Sequence, residues 1–297
     1  MAIAPIEPAL KEAGLFMEEA LAELLPEPMG PQARVIEAMR YATLEGGKRV
    51  RAFMVLQSGR LFGVDRRALA RVAAGVECVH AYSLVHDDLP AMDNDDMRRG
   101  RPSTHKKFDE ATAILAGDAL LTHAFALFAS HETHFDPHVR CDLVARLAHA
   151  AGWNGMVGGQ MIDMAAQGEA VDIPHITRQQ RLKTGALMSF ACESGAIMGK
   201  ASPQLRQALT NYAQDLGLAY QIADDVLDAQ GDATVMGKRT RKDQKAGKAT
   251  FVTILGVERA RAQALLLAEQ AAQHLDVFDE KADLLRGLSD YVVNRRA

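Results

Sequence analysis

The sequence has 297 residues, 48% hydrophobic but only 5% aromatic, with 34 Lys and Arg against 38 Asp and Glu for a formal net charge of -4. That balance favours packed helices over a sheet of β-branched and aromatic residues, and it excludes a global basic bias toward nucleic acid or an anionic membrane. The three cysteines, Cys78, Cys141 and Cys192, are far apart and lack CxxC spacing, which suggests neither a disulfide framework nor a thiolate metal site and fits a reducing cytoplasm.

Prolines at 5, 8, 26, 28 and 31 allow one short amphipathic helix in the first thirty residues. The N-terminus has no basic stretch ahead of an apolar core, and no run of about eighteen uncharged apolar residues occurs, so neither export nor stable membrane association is expected. Apolar residues then recur at three- and four-residue steps near 32–45, 48–62, 66–94, 109–130, 138–156, 177–200, 204–230, 249–273 and 280–295. Breaks fall at Gly46-Gly47, Gly63, Gly100 to Lys107, Pro137, Pro174 and Pro203. No fixed repeat, low-complexity tract or strand-like alternation intervenes. The fold expected is all-α, a single domain over 1–297 built as a bundle of about ten helices around a central cavity. Gly231 to Lys248, with six Lys or Arg among glycines, reads as a mobile loop.

In GGKRVR, Lys48 and Arg51 are three apart and are expected to share a helix face while Arg49 points elsewhere. The two preceding glycines would let an anion such as a diphosphate approach backbone amides; the plainer reading is a helix boundary with solvated cations. The segment HDDLPAMDNDDMRRG places Asp87, Asp88, Asp93, Asp95 and Asp96 within ten positions. Such crowding is tolerable if solvated at a helix end or if divalent cations occupy it. Asp93 lies about 240° round from Asp87 on an ideal helix and Asp95 aligns better with Asp88, so periodicity alone does not pick the third ligand, and Pro90 distorts the turn. Arg98 and Arg99 diverge and could serve two different anions. Met156, Met161 and Met164, at helical spacing, read as core rather than as the lining of a tunnel.

A second cluster, QIADDVLD, puts Asp224, Asp225 and Asp228 in an apolar helix, with Asp224 and Asp228 about 40° apart on one face. Carboxylates emerging from an apolar helix suit Mg2+, which takes one or two of them plus water and substrate phosphates. Glu77 and His80 form an ExxH pair that a ferritin-like metal bundle could use, but no second such pair sits in a comparable run.

Taken in order, GGKRVR, ECVHAYSLVHDDLPAMDNDDMRRGRPSTH, AILAGDALL, GGQMIDM, KTGAL, QIADDVLD, MGK and GKAT resemble the short-chain trans-isoprenyl diphosphate synthases, most closely the bacterial farnesyl diphosphate synthases. The resemblance runs nearly the whole chain. It implies an isoprenoid synthase-like fold and condensation of dimethylallyl or geranyl diphosphate with isopentenyl diphosphate. It makes Asp87 and Asp93 ligands of two Mg2+ ions with Asp88 assisting, and Asp224 a ligand of a third, beside Asp225. It places Lys48, Arg51, His80 and Arg99 on isopentenyl diphosphate, and Arg98, Lys183 and Lys238 on the allylic diphosphate. Thr184 and Gln221 would line the developing cation, and the loop from Gly231 to Lys248 would close as a lid. Tyr82, five residues and about 7.5 Å before Asp87 on a helix, would form the floor that sets chain length at fifteen carbons; core packing is its plainer reading. A cytoplasmic homodimer without nucleic-acid partners is implied. Arg241 and Ala249 depart from the family's pattern in the lid, and Asn94 departs in the first aspartate motif. A geranylgeranyl or geranyl diphosphate synthase is the neighbouring alternative and an inactive regulatory subunit the one of another class. A terpene cyclase would carry a different second motif.

Overall fold

The computed structural model describes residues 6–166, 168–169, 171–231 and 250–295. The chain is all-α, as the sequence predicts, with fourteen α-helices among the described residues where about ten are expected, and it divides into two compact units.

The first unit comprises Glu7–Leu56 and Val64–Val144. Helix α1 (Ile6–Leu24) runs for 19 residues, longer than the short helix expected. Pro8 falls in its first turn, where no amide is needed for the helical ladder. Leu10, Ala13, Met17 and Leu21 form its buried face. Helices α2 (Ala33–Thr43) and α3 (Val50–Arg60) follow. Helix α4 (Arg66–Asp87) is capped by the Asp65 carboxylate, which accepts from the amides of Arg67 at 2.9 Å and Ala68 at 3.0 Å. It is buried almost continuously from Leu69 to Val85 and packs along α6 (Glu110–Ala129). By length and composition α4 and α6 could each cross a membrane; the apolar window of α4 is 72% buried within the protein, as that of a core helix is, and the window of α6 is 44% buried.

The periodicity predicts helix as far as residue 94, yet α4 stops at Asp87, because Leu89 precedes Pro90 and is pushed out of helical geometry. Beyond it, Met97–Arg98 pairs antiparallel with Arg101–Pro102. Arg99 (φ 52) and Gly100 (φ 75) close this ladder with the left-handed turn that hairpins favour. Two residues a side are too few for alternation to be visible in sequence. The short α5 (Thr104–Lys107) precedes α6, and α7 (Pro137–Ala151) follows it.

The second unit comprises Met1–Ile6, Gln57–Gly63 and Ala145–Ala297. It holds α8 (Met156–Ala165), α9 (Ile173–Gln180), α10 (Ala186–Met198) and α11 (Pro203–Gln230), with one π-helical turn, Arg181–Gly185, joining α9 to α10. The side chain of Ser202 caps α11 and left-handed Gly231 ends it. Leu218, Ala219, Ile222 and Val226 of α11 pack on Phe251 of α12 (Phe251–Leu255) and on Ala260, Ala264 and Leu267 of α13 (Val257–Gln273). The single helix expected over 249–273 is thus two, parted at Gly256, whose φ of 78° only glycine adopts readily. A 3-10 segment, Asp276–Ala282, leads to α14 (Asp283–Asn294), where the buried Tyr212 hydroxyl donates to Leu285 O at 2.7 Å.

Met156 is buried, but Met161 is 61% exposed, against its reading as core. The covered face of α8 is Met156, Gly159 and Asp163, and Met161 lies about 140° round from Met156. All three cysteines are free, and burial pushes the Cys78 thiol up to about 12.

Candidate active site

At the end of α4 the chain doubles back on itself. The Asp93 amide donates to Asp87 O at 2.8 Å and the Asp95 amide to Asp88 O at 3.1 Å, a fold-back that the left-handed Asn94 (φ 50) permits. The backbone thus pairs residue 87 with 93 and residue 88 with 95. Asp88 is 2% exposed. Its carboxylate accepts from Arg98 Nε at 3.0 Å and from Arg98 Nη2, which also lies 3.7 Å from Asp95 Oδ2. Arg98 thereby neutralises the inner pair.

The basic motif differs from its expected form. Helix α3 begins at Val50, so Lys48 precedes it and does not share a helical face with Arg51. Arg49 is the cation that turns inward, reaching Glu77 at 3.0 Å and Glu18 at 2.8 Å. The glycine pair is filled by a side chain: a Cβ on Gly47 would lie 2.8 Å from Arg99 Cζ, and one on Gly46 3.0 Å from Arg99 Cδ. The glycines thus let the Arg99 side chain lie against the backbone.

Arg51 Nη1 lies 3.4 Å from His80 Nε2. Burial holds the His80 imidazole well below its usual value, and Arg51, Arg99, Arg98 and Arg49 add to the effect. A neutral ring with its proton on Nδ1 can accept from Arg51. The ferritin-like reading fails at Glu77, because both its oxygens are engaged, by Arg49 and by the Ala52 amide. Arg98, Arg99 and Arg101 line a small open cleft of about 40 Å³ with Tyr41, Gly46 and Asp88, all within the first unit. Tyr82 is buried on α4, its ring edge-on to His86 at 5.4 Å.

In the second unit, Asp224, Asp225 and Asp228 lie half-buried on α11. Asp224 accepts from Arg295 Nη2, and the same guanidinium stacks over Tyr220 at 4.0 Å. Asp225 Oδ2 accepts from the Phe251 amide at 3.1 Å, tying α11 to the start of α12. Thr184 Oγ1 donates to Gln221 Oε1 at 3.1 Å, so two residues predicted to act together do meet. Lys183 Nζ donates to Asp163 Oδ2 at 2.6 Å, while Gln179 Nε2 holds the other oxygen at 2.5 Å. Lys183 and Thr184 sit in the π-helical turn, an irregularity common at functional sites.

Asp163 and Arg295 carry no role in the sequence reading, although Asp163 stands inside the GGQMIDM motif and the Gln179 to Lys183 spacing of four hints at a shared partner. Lys238, Lys248, Arg241, Ala249 and the lid expected from Gly231 to Lys248 lie, apart from Gly231, outside the described residues.

Among the described residues no three His, Cys, Asp or Glu side chains converge as a ready-made metal site. The donor chemistry nevertheless fits Mg2+, a hard ion that takes one or two carboxylates and completes its shell with water and substrate phosphates. Asp87 and Asp93, whose backbones are hydrogen-bonded to each other, carry carboxylates of that kind.

The chain matches the family described as polyprenyl synthetase over residues 32–286. It is 43% identical to the farnesyl diphosphate synthase of Escherichia coli, over 98% of this chain and 97% of that one. It is 39% identical to the geranylgeranyl diphosphate synthase of Cyanophora paradoxa, over 96% of this chain and 95% of that one. The crystal structure of an FPP/GFPP synthase from Zymomonas mobilis superposes with a TM-score of 0.88 at 48% identity, covering 97% of this chain and 98% of that one.

Proposed function

The chain belongs to the polyprenyl synthetase family, and on that premise we propose that it is a trans-prenyltransferase, a farnesyl diphosphate synthase. Full-length identity of 43% to an enzyme of that name is the observation that carries the reading. Both aspartate motifs are intact, against an inactive subunit. One polyprenyl synthase domain over 1–297 is part of the proposal, supported by a family match that spans residues of both units.

Lys48, Arg51, Arg99 and neutral His80 hold the diphosphate of isopentenyl diphosphate, the cations by charge and the imidazole by fixing Arg51. Arg98, Lys183 and Lys238 hold the allylic diphosphate, with Asp88 orienting Arg98 and Asp163 orienting Lys183. Asp87 and Asp93 would hold two Mg2+ ions and Asp224 a third, with Asp225 supporting its helix. Bound Mg2+ would supply charge neutralisation for the leaving pyrophosphate.

As the allylic C–O bond breaks, its electron pair leaves with pyrophosphate, whose charge the fixed cations stabilise. The alkene of isopentenyl diphosphate attacks the allylic carbon, and the proton it loses passes to pyrophosphate. The Thr184 hydroxyl and Gln221 amide, already joined, present oxygen dipoles to the developing cation. Tyr82 stops the growing chain at fifteen carbons. A geranylgeranyl product is the second reading, favoured by the Cyanophora relative at 39% identity.

A cytoplasmic homodimer completes the proposal, and light scattering on the purified protein tests its mass. The function is tested by pyrophosphate release from isopentenyl and geranyl diphosphates. Release should require Mg2+, fall at least about 10²-fold in Asp87→Ala and be lost in Asp224→Ala; release that survives EDTA would overturn the mechanism.

A further inference from the structure

Arg49 stands between the two cations assigned to isopentenyl diphosphate, yet its side chain is 4% exposed. Its Nη1 donates to Glu77 Oε2 at 3.0 Å, and its Nη2 donates to Glu18 Oε2 at 2.8 Å and to Thr43 O at 2.6 Å. Glu77 is equally buried, and its other oxygen accepts from the Ala52 amide at 3.2 Å, in the first turn of α3. One carboxylate therefore caps the helix that carries Arg51 and anchors the residue next to Lys48. Glu18 in turn accepts from the Glu45 amide, fixing the other end of the same loop.

The loop needs this anchoring. Glu45 and Arg49 adopt positive φ, 58° and 50°, and such backbone in a residue with a side chain persists only where the surroundings over-determine it. His80 lies one helical turn beyond Glu77 and meets Arg51, so α4 touches the start of α3 twice, once through a carboxylate and once through an imidazole. Removing one partner of a buried pair leaves the other charge uncompensated, and the loop is where that charge must find relief.

We infer that the buried Arg49–Glu77 pair and the half-buried Glu18 form a clamp that positions Lys48, Arg51 and Arg99 for one diphosphate, that of isopentenyl diphosphate, without touching it. Arg99 enters because its side chain rests on Gly46 and Gly47, the part of the loop the clamp holds. The clamp rests on the proposed roles of Lys48, Arg51, His80 and Arg99 and adds to them three positioning residues.

The test is steady-state kinetics of Glu77→Gln, Arg49→Lys and Glu18→Gln, with each substrate varied in turn and folding followed by circular dichroism melts. Glu77→Gln should raise KM for isopentenyl diphosphate at least about ten-fold, leaving KM for geranyl diphosphate and kcat within about two-fold. Arg49→Lys, which keeps the charge but not the fork, should fall between it and the parent. Glu18→Gln, at a side chain 37% exposed, should fold and shift the same KM about three-fold. A folded variant with parental KM for isopentenyl diphosphate, or one in which both KM values rise together, overturns the clamp while leaving the enzyme's reading intact. An unaltered protein that fails to condense the two substrates overturns that reading, and the clamp with it.

Discussion

The guanidinium of Arg98 covers the carboxylate of Asp88, which is 2% exposed, so the second aspartate of the first motif already has its countercharge in the protein. Asp87 and Asp93, joined by a backbone hydrogen bond of 2.8 Å, form the outer pair. The two pairs should respond differently to substitution. Asp87→Ala and Asp93→Ala are expected to lower kcat about 10²–10³-fold, the usual effect of losing one electrostatic group at a transition state. Asp88→Asn should leave kcat within about ten-fold and raise KM for geranyl diphosphate through a mispositioned Arg98. Equal loss of kcat in all three would contradict this division.

Asp163 is the partner of Lys183, with Gln179 on its other oxygen. Asp163→Asn should weaken geranyl diphosphate about ten-fold in KM and destabilise the fold by about 1–3 kcal/mol, the scale for a hydrogen bond to a charged group. Denaturant melts and initial rates measure the two effects separately, and an unchanged KM would remove the orienting role.

Adjacent aspartates of the second motif have different partners: Arg295 for Asp224 and the Phe251 amide for Asp225. Asp224→Ala should abolish turnover and lower Mg2+ affinity by calorimetry. Asp225→Ala should chiefly cost stability, about 1 kcal/mol for a lost cap at α12, while Mg2+ affinity stays near that of the parent. The reverse order in Mg2+ affinity would contradict the assignment.

Burial, with Arg51 and neighbouring cations, holds His80 well below 6.5 in the folded protein. In the unfolded chain it titrates near 6.5, so below that pH the unfolded chain binds the extra proton and gains on the folded one. Stability should therefore be undiminished by this group above pH 6.5 and fall as pH drops beneath it. Tm measured from about pH 8 to about pH 5 should decline less steeply in His80→Gln than in the parent; parallel declines would contradict a neutral, buried His80.

Much of this architecture is legible before the structure, because most helices repeat one apolar face at three and four residues. Helix α8 escapes that pattern, since two of its three covered positions are Gly159 and Asp163. The clustered acids and the order of motifs are visible because they are local. The pairs that orient them are not: Arg49 and Glu77 are 28 residues apart, Lys183 and Asp163 20, and Arg295 and Asp224 71. No local period encodes such a contact. The inward turn of Arg49 escapes for a related reason, as a single residue with φ of 50° ahead of α3 cancels the helical angle assumed for Lys48 and Arg51.

The central claim is condensation to fifteen carbons, and the most direct measurement is to resolve by chain length the products formed from labelled isopentenyl diphosphate and geranyl diphosphate with Mg2+. A dominant fifteen-carbon diphosphate is expected, with twenty-carbon product appearing when Tyr82→Ala opens the floor. A dominant twenty-carbon product from the parent would contradict the role of Tyr82, and no condensation with any allylic starter would contradict the account as a whole.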